Sequence, residues 1–84
     1  SAVGVEVWPV PAQEMLLLSF PEMRGQNLHL EVLDLAGRTL LSKALPEGHA
    51  GNTSLQLGDL PQGVYLLRLA GPEQTFSRKI EVAR

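Results

Sequence analysis

Turn-forming residues interrupt this chain at short intervals, and the segments between them are too short for average helices. They fall at Pro9-Val10-Pro11, Pro21, Gly25, Ala36-Gly37, Pro46 to Gly51, Gly58, Pro61-Gln62-Gly63 and Gly71-Pro72. Proline lacks the backbone donor that helices and ladders use, and glycine supplies turn conformations other residues resist. Several short segments at regular spacing describe an all-β sandwich or barrel.

Apolar residues alternate with polar ones inside the segments. Val3, Val5 and Val7 form one row; Leu28, Leu30 and Val32 another; then Leu55 and Leu57, then Tyr65, Leu67 and Leu69, and last Phe76, Ile80 and Val82. Successive strand side chains point to opposite faces, so each row is one buried face with a wet face behind it. The pattern predicts seven strands, at Val3–Trp8, Met15–Phe20, Asn27–Asp34, Thr39–Ala44, Thr53–Leu57, Val64–Ala70 and Thr75–Val82. Short connections favour antiparallel neighbours, because parallel strands need long crossovers. Leucine is a good helix former, and Leu28 to Leu41 can be drawn as an amphipathic helix. Gly37 interrupts that drawing, and Leu28, Leu30 and Val32 keep no helical stripe.

The 84 residues, 1–84, are expected to form one domain. A chain this short buries only about 60% of its unfolded surface, so the core is thin. With 44% hydrophobic and 19% charged residues the composition is that of a folded domain rather than a disordered tail. There is no cysteine, hence no disulfide and no thiolate ligand. Net charge is −2 with both signs mixed, and no basic block is present to neutralise phosphates, which argues against nucleic acid as a partner. The longest apolar run, Met15 to Leu18, is far below the roughly 20 residues that span a bilayer, so the domain is not expected to span a membrane. Ser1 to Val10 does not read as a signal peptide, and the serine start suggests a piece of something longer, in which any export signal would lie upstream. The loop from Pro46 to Asn52 is the expected mobile segment.

Catalytic chemistry is hard to place. His29 sits on a polar strand face and His49 in a glycine-rich loop, without ligand spacing around either, so both read as solvated. Ser19, Ser42, Ser54 and Ser77 lack a nucleophile signature. The carboxylates fall mostly on turns and polar faces, where solvated charge is the ordinary role. Gly48 and Gly51 lack the lysine and helix of a phosphate loop. The expectation is a non-enzyme without cofactor or metal.

Three motifs are more specific. In Asp34-Leu35-Ala36-Gly37-Arg38 the aspartate can bond its own backbone in a turn, and Gly37 supplies a positive φ. In Leu60-Pro61-Gln62-Gly63-Val64-Tyr65 a proline-glycine turn feeds the most regular strand. In Trp8-Pro9-Val10-Pro11 two prolines end the first strand and stiffen its exit. Trp8 and Tyr65 are read as core or rim packing.

Taken in order, these motifs resemble the type IX (Por) secretion C-terminal sorting domain of Bacteroidota. The corresponding residues are Pro9 and Pro11; Asp34, Leu35, Gly37 and Arg38; Gly63, Val64 and Tyr65; and the basic-aliphatic tail at Lys79, Ile80 and Val82. Where the family usually has asparagine between the prolines, this chain has Val10, which keeps the extended backbone and loses an amide. The resemblance implies an antiparallel immunoglobulin-like β-sandwich that addresses a cargo. It implies passage through the periplasm, reading of the folded domain by the outer-membrane translocon, and delivery to the cell surface or medium. A surface sortase would cut upstream and join the cargo to anionic lipopolysaccharide.

Edge strands of such a sandwich carry unpaired backbone groups to which a partner can add. The last strand is the expected recognition surface, with Arg78, Lys79 and Arg84 around Ile80 and Val82, although alternation alone accounts for the same pattern. A homodimer through an edge strand is a further expectation. The competing readings are an immunoglobulin-like binding module and a scaffold retained in the secretion machinery.

Overall fold

The computed structural model describes residues 4–84 and contains seven strands in two sheets. They are β1 (Glu6–Trp8), β2 (Met15–Ser19), β3 (Leu28–Leu33), β4 (Thr39–Leu45), β5 (Asn52–Gln56), β6 (Gly63–Ala70) and β7 (Thr75–Val82). The start of the predicted first strand, Val3, lies outside the described residues. Every predicted strand has its counterpart, with ends displaced by a residue or so, except that Gly4 and Val5 fall outside β1. Pro21–Met23 closes a 3₁₀ turn, with proline at its first position, where no donor is missed.

One sheet has the order β1-β2-β5 and the other β4-β3-β6-β7, and all these pairs are antiparallel. The segment that could be drawn as a helix is the β3–β4 hairpin. Its inward row of Leu28, Leu30 and Val32 faces the other sheet, and a two-residue period places every apolar side chain of that row inside. The buried core joins both sheets through Leu16, Leu18, Leu30, Val32, Leu55, Leu67, Leu69 and Val82. Leucine is used as strand core here because packing between two faces outweighs its mild helix preference.

The two open sides of the sandwich are closed differently. On the β4/β5 side, Lys43 stands opposite Leu30, on the inner face of an edge strand, and its Nζ donates to Ser54 O at 2.8 Å. A charge pointing inward from an edge strand also discourages a foreign strand from pairing there. On the β1/β7 side the closure is partial.

The Pro46–Asn52 loop departs from expectation. Gly48 N–H donates to Gly25 O (3.1 Å), and Phe20 N–H donates to Gly51 O (2.7 Å). His49 is half-buried rather than solvated. Its Nδ1 accepts from Gly51 N–H at 3.1 Å, so Nε2 carries the proton shared with Gln26 O at 2.6 Å. The imidazole meets the Phe20 ring edge-on, with centroids 5.6 Å apart. Gly51 has φ +89°, and a Cβ there would lie 3.2 Å from Arg24 Cβ, so this position in the loop favours glycine on both counts.

Candidate functional site

The Asp34–Arg38 motif is a self-contained turn. Asp34 Oδ1 accepts from the N–H groups of Ala36 (3.0 Å) and Arg38 (2.8 Å), and Arg38 Nε donates to Oδ2 at 3.2 Å. Gly37 sits at φ +92°. Leu35 at the tip is 67% exposed and touches no core. Donation from the Arg38 backbone holds the Asp34 carboxyl below its ordinary range. On the outer face of the four-stranded sheet, Glu31 stands opposite Arg68 and accepts from its Nη2 at 2.6 Å and Nε at 2.9 Å. The Arg68 guanidinium lowers the Glu31 carboxyl in the same way.

Both groups are therefore depressed in the folded state. Their stabilising contribution is present above the ordinary carboxylate values, 4.5 for Glu31 and 3.8 for Asp34, and is lost as pH falls through the lower folded values. The expected result is that a Glu31→Gln/Asp34→Asn variant melts below wild type at neutral pH. The two melting curves should converge in acid. A gap that stays constant from pH 7 to pH 2 would refute this.

Gly63-Val64-Tyr65 is a device of the fold. Tyr65, near the start of β6, is buried, and its hydroxyl donates to Pro61 O at 2.6 Å. A tyrosine reaching back a few residues to the backbone at this corner recurs in immunoglobulin-like sandwiches. Tyr65→Phe should lower stability by about 1 kcal/mol, the usual net value of one such bond. Denaturant midpoints with an unchanged slope would measure it, and an unshifted midpoint would deny the bond its role.

The opening motif does more than end a strand. Past β1 the chain turns through Pro9 and Pro11, each preceded by a cis peptide bond, and crosses to the other sheet. There Ala12 N–H donates to Glu81 O (2.9 Å), and Ala83 N–H donates to Ala12 O (2.8 Å). This isolated bridge to Val82 is parallel and lies outside the seven strands, whose own pairings are all antiparallel as expected. It needs no crossover helix because its two halves come from opposite ends of the chain. Ala12 was not singled out from the sequence, since nothing in a lone alanine after proline marks a sheet-to-sheet bridge.

The terminal residues divide into two groups. Val82 is 0% exposed, so its side chain belongs to the core and offers nothing for a partner to touch. Arg84 is engaged with the β5–β6 connection, donating from Nε to Leu60 O (2.7 Å) and from Nη2 to Gly58 O (2.8 Å). Arg78 and Lys79 are exposed, and the Arg78 guanidinium lies 5.1 Å from the Phe76 ring centroid. Together with Ile80 they border a groove of about 430 Å³, whose other wall is Val7, Pro9 and Val10. Val10 is 78% exposed. The structure thus brings Pro9 from the first motif and Val64 from the third beside Arg78, Lys79 and Ile80. Pro11, Gly63 and Tyr65 do not line it, and Asp34, Leu35, Gly37 and Arg38 form the separate hairpin turn.

Among the described residues no group of three or more His, Cys, Asp or Glu side chains converges on one point. Among the described residues, too, no helix is long and apolar enough to cross a membrane.

In architecture the chain is an immunoglobulin-like β-sandwich. It is similar to a DUF3244 family protein of that fold from Bacteroides vulgatus, with TM-score 0.69 and 17% identity over 94% of both chains. It is also similar to CopC from Methylosinus trichosporium, with TM-score 0.57 and 16% identity over 88% of this chain and 78% of that one. The particular family is given by the sequence match over residues 6–83: this chain belongs to the secretion system C-terminal sorting domains, the sorting signals of type IX secretion. No curated protein matches it significantly in sequence. Membership makes the secretion machinery its partner and places it in a protein exported to the cell surface or beyond.

Proposed function

We propose that residues 1–84 act as one non-catalytic address, sufficient to carry an unrelated cargo through the type IX outer-membrane translocon. The cargo reaches the periplasm by its own export signal, and the translocon then reads the folded domain. A surface sortase cuts upstream and joins the cargo to anionic lipopolysaccharide; the chemistry of that step resides in the sortase. The observation that carries this reading is the extent of the family match, residues 6–83, which spans the whole sandwich from β1 to past β7. The recognised object is then the fold itself, and its terminal strand is the surface read, through Arg78, Lys79 and Ile80.

The test is a reporter fused ahead of residues 1–84 and given a periplasmic export signal, expressed with and without a working type IX translocon. The expected result is reporter at the surface or in the medium only when the translocon works. Reporter held in the periplasm of both strains, with the domain folded, would refute the reading in favour of a binding or scaffold module.

A further inference from the structure

The outer edge of β7 is half closed and half open. The turn bond from Gly71 N–H to Gln74 O and the two Ala12 bonds fix the alternation along the strand. The backbones of Phe76, Arg78, Ile80 and Val82 face β6, and those of Thr75, Ser77, Lys79 and Glu81 face away. Ala12 occupies the far end at Glu81 and Ala83. Among the described residues nothing pairs with the outward groups of Thr75, Ser77 and Lys79. The groove between Ile80 and Val10 adjoins this open half, on the inner side of the sheet.

We propose that an extended segment of the secretion machinery adds to this edge as a further strand, as long as Thr75–Lys79, with acidic and apolar residues alternating along it. The inference rests on the sorting reading above and names how the partner is held. Main-chain bonds supply affinity in such an addition, and alternate side chains supply selectivity. One row of the added strand faces the groove, where Val10, Pro9 and Ile80 accept apolar groups. The other row stands beside Lys79 on the outer face, where acidic groups complement its charge. Thr75 to Lys79 holds two basic residues and no acidic one. A second copy on the same edge would gather two Arg78–Lys79 pairs on one short ladder with nothing to neutralise them. Lys43 guards the β4/β5 side, so β7 is the edge of the four-stranded sheet left for addition.

The reporter fusion tests this with three variants. Ser77→Pro removes an outward donor and leaves the β6 ladder intact, because that N–H faces away from β6. Lys79→Glu reverses the charge, and Val10→Asp spoils the groove wall. Each should retain a cooperative melt and lower translocon-dependent surface delivery by about tenfold or more, the scale of a lost interfacial charge pair. Wild-type delivery with equal delivery of all three folded variants overturns the strand-addition mode and leaves the sorting reading standing. Failure of the wild type itself removes both. A wild-type dimer in sedimentation that Ser77→Pro dissolves would also overturn it, by giving the edge to a second copy.

Discussion

Removing Lys79–Arg84 is expected to unfold the domain. The deletion takes Ile80 and Val82 out of the core, breaks both backbone bonds to Ala12, and frees the β5–β6 connection from Arg84. Burial of two such aliphatic side chains is worth about 3–6 kcal/mol. A domain of this length is stable by only about 4–13 kcal/mol in all, at roughly 0.05–0.15 kcal/mol per residue. Loss of near-UV circular dichroism and of a cooperative melt would record the effect. A truncated chain that still melted cooperatively near the wild-type temperature would mean that the terminal residues are not part of the core. The consequence for function is direct. Lost export by such a truncation reports on folding, whereas Lys79→Glu keeps the core and reports on recognition.

Leu67→Ala, in the centre of the larger sheet, is expected to be strongly destabilising. Leu67 is 0% exposed and lies between Val32 on β3 and Arg78 on β7. Truncating a leucine in such a place costs about 2–5 kcal/mol through lost transfer energy and the cavity left behind. In a domain this small that lowers the melting temperature by roughly 10–30 °C. The contrast is Leu35→Ala at the hairpin tip, where an exposed side chain should matter by less than about 0.5 kcal/mol. Equal effects of the two substitutions would contradict the core assignment.

Folding and recognition share the same short terminal segment, which explains why its residues look alike in sequence. Along β7, period-two alternation is visible from the letters alone, and it separates Phe76, Ile80 and Val82 from Thr75, Ser77, Lys79 and Glu81. It does not say that Val82 is sealed while Ile80 still borders an open groove. That difference comes from the three-stranded sheet, which ends at β1 and covers the end of β7 only where Ala12 bridges it. Likewise His49 reads as a solvated loop residue until the fold brings Phe20 and Gln26 to it across the chain.

The sequence by itself determined the strand number, the hairpin turn at Asp34–Arg38, the alternation of buried and wet faces, and the family. These depend on residues close together in the chain, where turn chemistry and side-chain period act locally. Only the tertiary structure decided that Pro9–Ala12 crosses between sheets and that Tyr65 donates to Pro61. The same holds for Arg84, which clasps the carbonyls of Gly58 and Leu60, and for the half of the β7 edge that stays open. Each of these depends on where a backbone amide or carbonyl comes to lie when strands and turns meet in space, and the identity of a residue does not say where its backbone groups lie.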